Sequence, residues 1–432
     1  MAKARGRWSL LAAGAMWTAS SQLAAATDIQ ASDRVVRWVN VREAASSGTA
    51  TIDRLEPGEK AELIEVLPAW YLIRLPDGRT GYVSRGWTVR SDELADFQPL
   101  YFLHLIDVGT GLAVFIEGPD FTLLYDGGSN DDTARGPRNR LTAYLRHLRP
   151  ELAGIDHVIL SHPHRDHVEL LPDVVGSYKI GNIWDSGRTN PICSYRAFLR
   201  IIRARQIPYH DAHEGTGSHS VPLSSKLCYG QAEAAETVTF PHASRIEEGA
   251  AIPLGTGATL TFLHADASEL DSFNENSLVA MVELGRSRIL LMGDAEAGGR
   301  RSPDILPAPH SVEGELIEHS AAALRADVLV AGHHGSKTSS RTAFLDRVGA
   351  YVFLVSAGPT RYASVTLPDR EVIDEFAERG TIHRTDIDDQ ACEADPDKIG
   401  TDNDGQPGGC SNILVSIDPD GEIRAELRPE GD

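Results

Sequence analysis

The chain has 432 residues, of which 41% are hydrophobic and 24% charged, and its formal net charge is −21. This length allows two or three domains with a large apolar core. The excess of acidic groups repels polyanions at long range, which excludes a chain that binds nucleic acid through its overall charge.

The first 26 residues have the pattern of an export signal. A basic start is followed by an apolar run over 8–19 and by small residues at 24–26. That run is shorter than the roughly 20 residues that cross a bilayer, and no later stretch is long enough either. We therefore predict a signal peptide over 1–26, no transmembrane segment in the mature chain, and export to the periplasm or the extracellular space.

The four cysteines suit an oxidising compartment. They allow three disulfide pairings. The simplest pairing joins sequence neighbours, Cys193 with Cys228 and Cys392 with Cys410, and each bond would close a polar loop.

Residues 33–90 alternate polar and apolar side chains in the manner of several short strands, and Asp77-Gly78 is typical of a tight hairpin turn. The phrases VNVR at 39–42, WYLIR at 70–74 and GYV at 81–83 resemble those of the bacterial SH3-like domain. This resemblance implies a small all-β barrel, whose usual ligands are cell-wall peptides. A cell-wall peptide is therefore a candidate partner, and a passive amino-terminal cap is the alternative.

A histidine-rich loop follows a buried strand in the region after a linker at 91–100. The apolar run at 155–160 predicts that strand, and the sequence SHPHRDH occupies 161–167. Open α/β sheets place their ligand sites at the carboxyl ends of strands, and imidazole with carboxylate is a common metal-ligand set. The pattern predicts a metal site whose ligands are His162, His164, Asp166 and His167.

Two later apolar strands also end in polar groups that can reach the same edge. Asp294 follows the run at 288–292, and His333 follows the run at 328–331. A carboxylate that bridges two metal ions about 3.5–4 Å apart can hold a shared water, and Asp294 fits that role. We predict Asp294 and His333 as further metal ligands.

The segment 101–428 resembles the metallo-β-lactamase fold and, within that superfamily, the carboxy-terminal domain of the ComEC-type DNA-uptake proteins. The motifs that carry this resemblance are IDVGTG at 106–111, DGG at 126–128, SHPHRDH at 161–167, NENSLV at 274–279, LMGDAE at 291–296, HHGSKTSS at 333–340 and RTD at 384–386. The resemblance implies an α+β protein, an αββα sandwich that acts as a metal-dependent hydrolase. Polar stretches near 210–250 and 386–411 are predicted insertions.

Matched position by position, the six predicted ligands correspond to ligands of the superfamily. Asp126 corresponds to a residue that supports the ligand loop from behind. The resemblance implies two divalent ions, with zinc favoured. Manganese stays open because 274–277 occupies the place of one expected histidine ligand. Leu112 also stands where ComEC-type sequences have an aspartate.

Asp166 and His334 are the predicted catalytic residues. Asp166 would orient a metal-bridged hydroxide as it attacks the substrate, and His334 would meet the developing negative charge. The residues predicted to bind substrate are Asn276, Ser277, Ser336, Lys337 and Thr338. Helix or strand capping is the alternative role for these five.

We therefore expect an exported dinuclear metal-dependent hydrolase that acts on phosphodiesters. A lactam, lactone or other ester hydrolase on the same metal site is the alternative, because the same metals can attack either centre. A cell-wall binding protein that acts through its SH3-like module is the second alternative. His210, His213 and His219 are expected to be solvated loop histidines.

Overall fold

The computed structural model describes residues 27–427 except 33–34, 36, 47, 68, 91–96, 132–135, 137–138, 214–216, 363 and 387–410. The predicted signal peptide and the predicted Cys392–Cys410 bond lie outside the described residues.

The amino-terminal part is a small all-β domain built on one antiparallel sheet. Its strands are β1 (Asp28–Ala31), β2 (Val39–Arg42), β3 (Thr51–Leu55), β4 (Lys60–Val66), β5 (Trp70–Arg74), β6 (Thr80–Ser84) and β7 (Thr88–Arg90). Alternate residues such as Val39, Val41, Tyr71 and Ile73 are buried, as the period of two predicts. The sheet begins before the predicted boundary, because β1 pairs with both β4 and β7.

The remaining strands form two larger sheets and a short ribbon. In chain order they are β8 (Tyr101–Leu105), β9 (Val114–Glu117), β10 (Thr122–Tyr125), β11 (Gly154–Leu160), β12 (Lys179–Asp185), β13 (Tyr209–Asp211), β14 (Gly217–Leu223), β15 (Lys226–Cys228), β16 (Gln231–Glu233), β17 (Glu236–Arg245), β18 (Ala251–Gly255), β19 (Ala258–His264), β20 (Val279–Leu284), β21 (Ser287–Leu291), β22 (Val328–Val330), β23 (Val352–Val355), β24 (Thr381–Arg384), β25 (Ile413–Ile417) and β26 (Ile423–Leu427). Among the described residues, the first sheet has the order β14-β17-β13-β12-β11-β10-β9-β8-β25-β26, and the second runs from β18 to β24 in sequence.

Helices cover the outer faces of these two sheets. They are α1 (Arg140–Leu148), α2 (Arg165–Val168), α3 (Leu171–Ser177), α4 (Cys193–Arg205), α5 (Val312–His319), α6 (Thr342–Val348) and α7 (Arg370–Ala377). Apolar residues of α1, α3 and α4 pack on the first sheet, and those of α5, α6 and α7 pack on the second. α2 and α3 are separate helices, and Pro172 lies in the first turn of α3, where its missing N–H costs no hydrogen bond.

A large apolar core lies between the two sheets. Leu103, Ile116, Leu260 and Ile289 are fully buried members of it. Each such side chain contributes about 1.5–3 kcal/mol on burial, so this contact surface holds the sheets face to face. The αββα architecture that was predicted is therefore confirmed.

The insertion predicted near 210–250 is a set of hairpins that extends the first sheet. β13 pairs in parallel with β12 and β17, and β14 pairs antiparallel with β17. The predicted disulfide bond between Cys193 and Cys228 is present and joins α4 to the ribbon of β15 and β16. Across the described residues, no helix combines the length and apolar character that membrane crossing requires.

One prediction for this insertion is wrong. His210 and His219 lie on β13 and β14 rather than in a solvated loop, and all three histidines, His213 included, are only partly exposed. His210 lies on β13 and stacks on the ring of Trp184, with ring centroids 4.0 Å apart. Loop composition alone did not indicate that this segment returns to the sheet.

Candidate metal centre

The loop after β11 turns four polar side chains towards the gap between the sheets. β11 is buried from His157 to Leu160, and α2 begins directly after His164. His162 Nε2 and His164 Nδ1 lie 2.9 Å apart, so both imidazoles face one point. Asp166 and His167 are on α2 and are both buried.

Asp126, directly after β10, supports this loop through hydrogen bonds on the side away from the site. Its carboxylate accepts hydrogen bonds from Ser161 N and Ser161 Oγ, both at 2.7 Å, and from His167 Nδ1 at 2.8 Å. The His167 ring therefore has its proton on Nδ1 and presents the Nε2 lone pair to the site. A Cβ atom at Gly128 would collide with the backbone of Asp166 and His167, so glycine is required for this close approach.

Asp126→Asn is expected to weaken metal binding by about 10–100-fold, because the amide is a poorer acceptor for the His167 N–H. Chelator competition on the purified protein measures this affinity. Asp420→Asn is the matched control, since the Asp420 side chain is 86% exposed. Equal affinities for wild type and Asp126→Asn would contradict the supporting role.

Asp294 brings the second sheet into the site. It follows β21, and its backbone N–H donates to Ser277 Oγ at 3.1 Å. The two carboxylate oxygens face opposite sides: Oδ1 lies 3.1 Å from His167 Nε2, and Oδ2 lies 3.7 Å from His162 Nε2. Burial opposes ionisation of Asp294, but the surrounding histidines, His167 foremost, hold its pKa well below the usual range.

His333 and His334 follow β22 with left-handed backbone conformations, at φ 49° and 55°. Such angles are uncommon for residues other than glycine and occur often at functional sites. They turn both rings to Asp294: His333 Nε2 lies 3.9 Å from Oδ2, and His334 Nε2 lies 3.6 Å from Oδ1. His334 Nε2 is also 3.7 Å from Asp166 Oδ2.

Each ring of this pair is oriented through its other nitrogen. His334 Nδ1 donates to the carbonyl oxygen of Ser356 at 2.9 Å, which leaves the Nε2 lone pair for the site. His333 Nδ1 contacts Glu296 Oε1 at 2.9 Å and Thr338 Oγ1 at 2.7 Å. Histidines that bind metal ions in proteins are held in this way by carboxylates and carbonyl groups.

The donor set fits divalent metal ions. Among the described residues, His167 Nε2, His334 Nε2 and Asp294 Oδ1 are buried and have no hydrogen-bond partner, although they face one another. Two groups of potential ligand atoms each lie within 4.8 Å: His162, His167 and Asp294 form one, and Asp166, His167 and His334 form the other. Burial lowers the pKa of both His162 and His164, which favours the neutral imidazole that binds metal.

The five predicted substrate-binding residues make contacts within the protein. Ser277 Oγ accepts from Asp294 N, and Asn276 Nδ2 donates to the carbonyl oxygens of two neighbouring loop residues. The Lys337 ammonium lies 2.9 Å from Glu371. Thr338 supports His333, and Ser336 Oγ accepts from Arg300 at 3.1 Å. These five residues thus have partners within the protein, and direct contact with substrate stays a prediction.

Two residues at the site were missed in the sequence. The Tyr362 hydroxyl donates to Asp166 Oδ2 at 2.7 Å, and Asn130 Nδ2 donates to the same oxygen at 2.9 Å. Tyr362 is 36% exposed, so it lies at the mouth of the site. Neither residue belongs to a strand-end histidine motif, and no local signal could have found them.

Comparison with known proteins finds one family match before the predicted linker and one after it. The model of the bacterial SH3 domain matches residues 38–89, and the model of the metallo-β-lactamase superfamily matches residues 106–218. These matches place a bacterial SH3 domain before a domain of the metallo-β-lactamase superfamily, in the order that the motifs predicted. The homologues of this chain support the ComEC-like subgroup that the motifs indicated.

Two curated relatives support the ComEC-like subgroup. Recombination protein 2 of Haemophilus influenzae is 27% identical over 261 residues, which cover 60% of this chain and 25% of the relative. The uncharacterized protein YcaI of Escherichia coli is 27% identical over 270 residues, which cover 62% of this chain and 26% of the relative. The chain thus spans about a quarter of their length. Among solved structures, the metallo-β-lactamase fold protein YhfI of Bacillus subtilis matches at a TM-score of 0.34 and 13% identity, over 67% of this chain and 97% of that one.

Proposed function

We propose that this protein is an exported dinuclear hydrolase of phosphodiesters. The observation that carries the proposal is the Asp294 carboxylate, whose two oxygens face two separate sets of ligand atoms. A carboxylate in this position can be shared by two ions. Export is supported by the Cys193–Cys228 disulfide bond, which suits an oxidising compartment.

The first ion would be held on the Oδ2 side of Asp294. His162 Nε2 and His164 Nδ1 converge there, and His333 Nε2 faces the same oxygen. His333 would then occupy the role of the histidine that is missing at 274–277. A set of three imidazoles and one carboxylate is complete for zinc, which we favour over manganese.

The second ion would be held on the Oδ1 side. His167 Nε2 and His334 Nε2 face that oxygen, and Asp166 Oδ2 lies 3.7 Å from His334 Nε2. This assigns His334 to metal binding in addition to its expected contact with the reacting group.

Ions bound here would supply Lewis acidity and lower the pKa of a water molecule towards neutrality. The chain's own residues position the reaction. Tyr362 and Asn130 donate hydrogen bonds to Asp166 Oδ2, the oxygen that also faces His334, so the carboxylate keeps a fixed direction. Tyr362 also lies at one side of the mouth of the site, where its ring can contact a bound substrate.

A phosphodiester substrate is supported by the ComEC-like motifs and by a relative that is named a recombination protein. A small ester or lactam is the second candidate. The residues next to His164 favour this second candidate. The centre of the Phe273 ring lies 5.2 Å from the centre of the His164 ring, and the Arg188 guanidinium lies 5.0 Å above the Phe273 ring. An apolar ring and a cation together suit a small anionic substrate.

The test combines metal analysis with two substrates. We expect purified protein to contain about two metal ions in this centre and to hydrolyse bis(p-nitrophenyl) phosphate, and we expect His164→Ala to lose both properties. Turnover of nitrocefin or a lactone alone would transfer the assignment to the second candidate. Protein without bound metal and without turnover would contradict a catalytic role and favour binding of cell-wall peptide by the SH3 domain.

A further inference from the structure

A second group of histidines and an aspartate lies at the carboxyl end of β13, outside the centre described above. Asp211 ends the strand and is 3% exposed. His213 follows it in the loop, and His219 returns to it on β14. His213 Nδ1 lies 3.5 Å from Asp211 Oδ1, and His219 Nδ1 lies 2.5 Å from Asp211 Oδ2.

The ligand atoms of this group lack other partners. No described residue makes a hydrogen bond to Asp211 Oδ2, His213 Nδ1 or His219 Nδ1, although all three atoms are buried. The three side chains each offer one ligand atom, and these atoms lie within 4.8 Å of one another. Burying three polar atoms whose only close partners are one another costs free energy, so their convergence points to a ligand.

The surroundings hold this arrangement in place. The backbone N–H of His213 donates to Asp211 Oδ1 at 3.0 Å, which orients the carboxylate. The two imidazole rings are tilted by 48° relative to each other, with centroids 4.0 Å apart. Gly187, at φ 84°, leaves room for the His213 ring, since a Cβ atom there would collide with it.

We propose that Asp211, His213 and His219 bind one divalent transition-metal ion, with zinc favoured. Two imidazole nitrogens and one carboxylate oxygen are a common ligand set for zinc, and a water completes the tetrahedron. The ion ties β14 to the sheet edge at β13. Together with the Cys193–Cys228 bond, it anchors the inserted hairpins at two points.

The test uses the full chain after loading with zinc and removal of excess metal, with metal content measured by mass spectrometry. Replacing His213 and His219 by alanine is expected to remove about one zinc ion per chain while phosphodiester turnover stays unchanged. The same loss is expected in the Asp294→Ala background. His310→Ala is the control, because His310 is exposed.

Equal zinc content with and without His213 and His219, in both backgrounds, would overturn the proposal. The Asp294→Ala background distinguishes this outcome from failure of the proposed function. Both chains compared there lack Asp294, so a difference in their zinc content cannot come from the catalytic centre. If circular dichroism shows that the double variant is unfolded, the single variant His213→Ala is tested in its place. Its zinc affinity at this site is expected to fall at least about 10-fold, and unchanged affinity would refute the site.

Discussion

Asp294→Ala is expected to remove both metal ions from the catalytic centre and to lower phosphodiester turnover by about 10³-fold, which corresponds to about 4 kcal/mol in the barrier. The reason is that one carboxylate faces both sets of ligands, with His167 on one side and His162 on the other. Its loss would also leave the imidazoles without the negative charge that favours a dication.

Metal content by mass spectrometry and hydrolysis of bis(p-nitrophenyl) phosphate measure this effect in the same samples. Asp374→Asn is the matched control, because its side chain is 67% exposed and pairs with a neighbouring helical residue, Arg370. Two ions retained at the centre of a folded Asp294→Ala variant would contradict the bridging role.

His333→Ala and His334→Ala are expected to lower metal content by about one ion each, but from different halves of the centre. His333 Nε2 faces Asp294 Oδ2, the oxygen near His162, whereas His334 Nε2 faces Asp294 Oδ1 and Asp166. We expect the larger loss of turnover, about 10²–10³-fold, in His334→Ala, because this ring contacts both Asp166 and the shared carboxylate.

X-ray absorption of zinc-loaded variants distinguishes the two cases by the number of imidazole ligands per ion. The exposed His310 again provides the control as His310→Ala. A His334→Ala variant that keeps both ions but loses turnover would return His334 to a purely catalytic role. A His333→Ala variant with unchanged metal content would leave the first ion with His162, His164 and Asp294 as its protein ligands.

The polar residues at the ends of strands could be predicted because the sequence signals that identify them are local. The apolar run before Ser161 predicts a buried strand, and the spacing of His162, His164, Asp166 and His167 needs only one loop and the first turn of a helix. Asp294 could be predicted in the same way, as a carboxylate placed where an apolar strand ends.

The cluster around Asp211 could not be predicted from composition. His213 and His219 lie in a polar stretch that is typical of a loop, yet pairing of β14 with β17 returns His219 to Asp211. The local pattern carries no information on that pairing, since register depends on partners farther along the chain.

The sequence by itself therefore determined the all-β character of the amino-terminal part, the αββα fold class, the strand ends that carry the candidate ligands and one disulfide bond. All of these depend on periodicity, spacing or residue type over short stretches. Only the tertiary structure decided which oxygen of Asp294 faces His333 and which faces His334. It also brings the Tyr362 hydroxyl within hydrogen-bond distance of Asp166. The reason is that ring directions depend on left-handed backbone angles and on hydrogen bonds to distant groups, such as the Ser356 carbonyl, which exist only once the two sheets have packed.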